Sequence, residues 1–98
     1  MIKYTHFYDK NKKLVATLAT DHSDTGFKIG VAVVKSTEPI ASKRRGREIA
    51  EGRLSTNYSL DKVPNKKVTD YTGSVVNLKE LIESNVNHSK LKFDSTAR

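Results

Sequence analysis

Lys43, Arg44, Arg45, Arg47 and Arg53 crowd into the thirteen residues Ser42–Leu54, SKRRGREIAEGRL, which hold five of the chain's eighteen basic side chains. The segment reads as one helix. Ser42 is a suitable N-cap, and Gly46, Ile49, Ala50 and Leu54 fall on one face with Lys43, Arg44, Arg47, Glu48 and Glu51 turned largely outward. Four of the cations then occupy the first turns, where the helix macrodipole already places partial positive charge. Each destabilises the free helix by about a few tenths of a kcal/mol. A charge arrangement that works against the isolated helix points to an anionic partner. Phosphate fits, because the free backbone N–H groups of a first turn point at it and the side chains add charge-assisted hydrogen bonds. Lys43, Arg44 and Arg47 stand at i, i+1 and i+4, so they can straddle one run of phosphates while Arg45 and Arg53 reach sideways. Such binding falls steeply with salt and has little sequence preference. Lys10, Lys12 and Lys13 are candidates for a second clamp, against the reading that they are an ordinary solvated turn.

The elements that must position these side chains follow from pattern. Ile2–Tyr8 (IKYTHFY) is rich in β-branched and aromatic residues, Asp9–Lys13 (DKNKK) is a polar turn, and Leu14–Thr20 is the returning strand. Asp21–Gly26 (DHSDTG) reads as the next breaker. In Phe27–Lys35, Phe27, Ile29, Val31 and Val33 alternate with Lys28, Gly30, Ala32 and Val34, which predicts a strand with one face of large apolar residues and one of small ones. One face should be well buried and the other lightly covered. The three strands form an antiparallel meander, ended by Pro39 within Thr37–Ala41 and followed by the basic helix. Glycine at positions 46 and 52 costs about 1 kcal/mol each against alanine in a helix interior, so close approach by the sheet or by a ligand backbone is expected there. Ser55–Gly73 reads as an ordered loop with one short strand over Lys66–Tyr71, and Asn77–Val86 as a second helix with Leu78, Leu81, Ile82 and Val86 inward. The expected fold is α+β, in the order β-β-β-α, a short strand and a helix, with the sheet packed against helices on one face. Residues 1–87 make a single domain and 88–98 a polar tail.

Composition narrows the function classes. Of the net charge of +7, Ser42–Leu54 carries three in thirteen positions, with five basic and two acidic residues, against six and four in the first 41 positions and seven and five in the last 44. That is the distribution of an electrostatic footprint. The chain has no cysteine, so disulfides and thiolate metal sites are excluded. It has no apolar leader and no run long enough to span a bilayer, and a cytoplasmic setting without membrane partners is expected. His6, His22 and His88 lie in a strand, a turn and a tail without metal-ligand spacing, and Asp21, His22 and Asp24 are read as turn formers rather than cation ligands. No nucleophile–base pair, phosphate-binding glycine loop or carboxylate pair is recognisable, Glu48 and Glu51 being i, i+4 partners for Arg44 and Arg47. Neither an enzymatic activity nor a cofactor is expected.

Ser42, Lys43, Arg44, Gly46, Arg47 and Ala50 resemble the opening of the second helix of double-stranded RNA-binding domains, Ser-Lys-Lys-x-Ala-Lys with alanine further along. In that family the helix follows a three-stranded antiparallel sheet and its basic first turn grips phosphates across a groove, so the resemblance implies the same role for these residues. This chain opens on strand-like residues where the family has a helix, and has Gly46 where the family has alanine. Gly46–Leu54, Gly-Arg-x-Ile-Ala-x-Gly-Arg-Leu, also resembles small proteins of tailed bacteriophages, which would set the protein in a bacterial cytoplasm. The partner expected is nucleic acid. The alternative is an acidic surface of a protein, with the arginines, the sheet edge and the aromatics Tyr4, Phe7 and Tyr8 as contact area of an inhibitor or adaptor. The Ile2–Tyr8 edge also leaves a homodimer open.

Overall fold

Alternation in the first three strands builds the sheet that carries everything else. The computed structural model describes residues 1–23, 26–35 and 42–86, so Asp24, the Thr37–Ala41 segment and the 88–98 tail lie outside it. β1 (Ile2–Tyr8), β2 (Leu14–Ser23) and β3 (Gly26–Val33) form the antiparallel meander, and β4 (Lys67–Thr69) and β5 (Val75–Asn77) extend it into a five-stranded sheet in the order β3-β2-β1-β4-β5. Helix α1 (Lys43–Gly52) follows β3, a 3-10 turn spans Leu60–Lys62, and helix α2 covers residues 78–86. The architecture is α+β. The Lys66–Tyr71 expectation becomes β4, and β5 is an addition to it.

β2 runs through Asp21, His22 and Ser23, which were expected to break the chain. Pairing overrides their turn preference: Asp21 stands opposite Lys28 and His22 opposite Phe27, whose rings meet edge-on at 4.7 Å between centroids. The turn expected at Asp9–Lys13 is observed, a second tight turn lies at Asp70–Ser74, and the two are built alike. In each, the aspartate Oδ1 accepts backbone N–H groups two and four residues on (2.8 and 3.0 Å from Asn11 and Lys13; 2.9 and 3.0 Å from Thr72 and Ser74). The fourth residue is left-handed in both, Lys12 at φ +62° and Gly73 at φ +89°.

The expectation of helices on one face gives way to helices on both. Register places Phe7, Ala16, Leu18, Thr20, Phe27, Ile29, Val31 and Val33 on one face. There Leu18, Val31 and Phe7 pack with Val63, Val68, and Leu78 and Ile82 of α2. The opposite face carries Tyr4, His6, Thr17, Ala19, Gly30 and Ala32, and Ala50 of α1 packs on Ala19 and Ala32 with Ile49 and Leu54 alongside. One helix fills a layer of large side chains and the other fits a layer of small ones. Both faces carry apolar side chains, and helices on one side alone would leave the other open to water.

Gly46 and Gly30 explain how α1 sits so low. A Cβ at Gly46 would lie 2.6 Å from the Thr17 hydroxyl, and one at Gly30 would meet the Ala50 carbonyl oxygen and lie 2.8 Å from backbone atoms of Arg53 and Leu54. The sheet, rather than a ligand, makes the close approach. A Cβ at Gly52 meets nothing within 4 Å. Gly30→Ala is therefore expected to destabilise the protein by about 2–3 kcal/mol, because backbone must move. Gly52→Ala should stabilise it by about 0.5–1 kcal/mol through helix propensity. Urea denaturation of both variants checks the pair, and equal effects would mean that the Gly30 contact does not hold α1.

Candidate nucleic-acid interface

α1 is started by its own side chain. Ser42 is the N-cap, its Oγ accepting the Arg45 N–H at 3.3 Å, and the first turn holds no acidic residue. The expected helix of Ser42–Leu54 is thus observed as Lys43–Gly52, with Ser42 as cap and Leu54 beyond the end. Because α1 lies over β2 and β3, the row Lys43, Arg47 and Glu51 overhangs β1. Lys43 Nζ stands 5.8 Å above the centre of the Tyr8 ring. Tyr4 lies against Glu51: burial first, then the Glu51 carboxylate that accepts its hydrogen bond, push the Tyr4 hydroxyl pKa up.

The four N-terminal cations leave the helix in three directions. Arg44 points away from the sheet and pairs with Glu48 at 3.3 Å, both exposed, an arrangement worth little in stability. Arg45 lies on the β3 side, beside Val33, Val34 and Ile49. Lys43 and Arg47 lie on the β1 side. Among the described residues Lys43, Arg45 and Arg47 make no ion pair, since the ion pairs there are Met1–Asp21, Arg44–Glu48 and Lys79–Asp61. The expected Arg47–Glu51 partnership is replaced by Glu51 with Tyr4, the geometry that the overhang dictates.

Arg53 is set apart from this cluster. Its Nη1 donates to the Val31 carbonyl at 2.9 Å, and ten residues of helix put it about 15 Å along the axis from Lys43. It holds the edge of β3. Lys10, Lys12 and Lys13 are exposed in the β1–β2 turn that begins directly after Tyr8, so they occupy the end of the sheet where Lys43 sits. Of the aromatics expected as contact area, Phe7 is core at 5% exposure, while Tyr4 and Tyr8 are half-buried under α1 side chains.

His6 is the residue that the sequence did not connect to the site. It lies between Tyr4 and Tyr8 on the α1 face, its Nδ1 2.9 Å from the Thr17 hydroxyl. Burial first, then Lys43 and Arg47, push its pKa down. The signal available was alternation: residues 4, 6 and 8 share a face of β1, and a helix with cations at 43 and 47 had to cover some face of the sheet. His22 is on the opposite face, so the two described histidines do not meet.

No family model, curated protein or solved structure matches this chain. No helix among the described residues is long and apolar enough to cross a membrane.

The lowered His6 pKa carries a sign. A base that titrates lower in the folded state leaves the unfolded chain holding more protons, so its contribution is complete above the unfolded value of about 6.5 and is lost as pH falls below it. Replacing Lys43 and Arg47 by glutamine should move the His6 pKa part of the way back up, read from its ring protons by NMR. A His6 pKa unchanged in that variant would mean that neither cation reaches it.

Proposed function

We propose that this protein binds the phosphate backbone of nucleic acid, with Lys43, Arg44, Arg45 and Arg47 as the primary contacts and Lys10, Lys12 and Lys13 as a flanking set. The observation that carries the reading is the first turn of α1: four cations in five positions, no acidic residue, and three of the four outside any ion pair among the described residues. The helix bearing them is seated on the sheet through Gly46 and Ala50, so the charged side chains project from a fixed base. A fixed base reduces the entropy lost when several cations engage phosphates together.

The splayed directions suit a curved, repeating polyanion better than a single anion. Lys43 and Arg47 form one row, Arg44 the next and Arg45 a third, so neighbouring phosphates of one backbone are met by different rows. The resemblance of Ser42–Ala50 to the phosphate-gripping helix of double-stranded RNA-binding domains supports the same role. The burial of Phe7 and the engagement of Tyr4 and Tyr8 beneath α1 leave cations rather than aromatic rings on this surface, which favours backbone phosphates over base stacking.

Fluorescence anisotropy against labelled duplex DNA, duplex RNA and single strands at several salt concentrations tests the reading and ranks the substrates. Submicromolar binding at moderate salt is expected, with a log–log salt slope of several phosphates. Arg44→Glu with Arg47→Glu should weaken it at least about tenfold and flatten the slope by roughly 0.9 for each phosphate lost. Unchanged affinity in that folded double variant would sink the proposal. Arg53→Ala should leave the slope alone and lower stability by about 1–2 kcal/mol, through the lost bond to the Val31 carbonyl.

A further inference from the structure

The two open sides of the meander are finished differently. On the outer side of β3, Ile29 exchanges N–H and carbonyl hydrogen bonds with Ser55 (3.2 and 2.9 Å) and Arg53 caps the Val31 carbonyl, while just past the strand the Lys66 ammonium donates to the Val34 carbonyl at 2.9 Å. That edge is covered, as an edge strand must be if it is not to pair with another chain. On the outer side of β1, pairing among the described residues is confined to Tyr8 opposite Thr69.

Register identifies the groups left along β1. Ile29 directs its backbone groups outward, so alternation turns those of Gly30 and Ala19 toward each other and those of Leu18 and Thr20 toward Thr5 and Lys3. Ile2, Tyr4 and His6 then direct N–H and carbonyl groups to the outer edge, in step with Tyr8, which uses its own on β4. The open edge is about 17 Å long.

A groove of about 620 Å³ adjoins its Thr5–His6 end, between β1 and the β4–β5 turn, with Phe7, Leu81, Asn85, Thr69 and Tyr71 among its walls. Tyr71 is 99% exposed at its rim, and the Thr69 hydroxyl oxygen is buried without a hydrogen-bond partner. The groove lies on the α2 face. On the α1 face the side chains reaching over β1 are Lys43 near His6 and Tyr8, Arg47 near His6 and Tyr4, and Glu51 near Tyr4. A strand added to β1 would run about 4.8 Å further out, within reach of both cations.

We propose that the outer edge of β1 takes an extended acidic–apolar peptide as a sixth strand, antiparallel to β1. Strand geometry fixes the side-chain pattern. A residue opposite His6 faces Lys43 and Arg47 and is acidic, one opposite Tyr4 faces Glu51 beside Arg47 and is neutral, and those opposite Thr5, which lines the groove, and Lys3 turn to the α2 face and are apolar. Charge complementarity selects this occupant over a second copy of the chain, whose β1 would bring Lys3 and no carboxylate, on a molecule of net charge +7.

The test uses the full chain and a capped, fluorescein-labelled peptide, Val-Glu-Val-Thr-Val-Thr, with a Glu→Lys counterpart. Expected are saturable anisotropy, binding of the counterpart at least about tenfold weaker, and reversal of that preference in Lys43→Glu with Arg47→Glu. Amide hydrogen exchange by NMR should show Tyr4 and His6 newly protected, and Lys3 and Thr5, already bonded to β2, unchanged. This alternation is a signature that nucleic acid on the α1 cations would not produce. Absence of saturable binding, indifference to the sign of the peptide charge, or binding without protection of Tyr4 and His6 would each overturn the proposal. A free protein already protected at both amides and sedimenting as a dimer would overturn it in favour of a second copy.

Discussion

The contact between the backbone of α1 and the sheet is the constraint on which the site depends. Gly30 admits the Ala50 carbonyl and the chain at Arg53, and Gly46 admits Thr17. With the axis held low over β2 and β3, every other α1 residue has its direction set: 43, 47 and 51 toward β1, 44 and 48 outward, 45 and 49 toward β3. Raising the helix by one methyl layer would lift Lys43 off Tyr8 and Glu51 off Tyr4 together. The electrostatics of His6 are a downstream consequence of two missing β-carbons.

The two faces of the sheet divide their tasks. Leu18, Val31, Val68, Leu78 and Ile82, all fully buried, lie on or against the face that meets α2, and at about 1.5–3 kcal/mol for each such side chain this layer dominates the apolar stabilisation. The face beneath α1 buries Ala19, Ala32 and Ala50, whose small side chains contribute far less. Shape therefore holds α1 more than area does. A helix held by shape can carry an apolar stripe narrow enough to leave most of its circumference charged, as the five cations and two glutamates of Ser42–Leu54 require.

Much of this was legible in the residues, and the failures have physical causes. The alternation from Phe27 to Val34 gave β3 and its two-faced character, Ser42 marked the start of α1, and Leu78 and Ile82 marked the buried side of α2. Asp21–Ser23 was misread because single-residue turn preference is weak against cross-strand pairing with Phe27 and Lys28. β5 was missed because its three residues run directly into a helix capped by Asn77, whose Oδ1 accepts the Lys79 N–H at 3.0 Å. The site was half visible. Spacing placed Lys43, Arg44 and Arg47 on one helix, but the attraction of Glu51 to Tyr4, the use of Arg53 on the Val31 carbonyl and the approach of His6 depend on which face α1 covers. Local sequence does not carry that choice; the volumes of two faces compared with two helices do.

The cations at the start of α1 are only partly compensated within the fold. Lys43 over Tyr8 recovers about 0.5–1 kcal/mol at an exposed site, and Arg44 with Glu48 less than that. Arg45 and Arg47 make no ion pair among the described residues, and the helix dipole opposes all four. Moving the same charges to the last turn would make the dipole term favourable without changing composition or net charge, so general solubility does not account for their position. Burial first, and then the same field from Lys43 and Arg47, depresses the pKa of His6. An anion bridging Lys43 and Arg47 would reduce that field, and binding and proton uptake at His6 would then favour one another. The charge cluster, the histidine beneath it and the low seat of α1 thus form one coupled unit rather than three separate features of the surface.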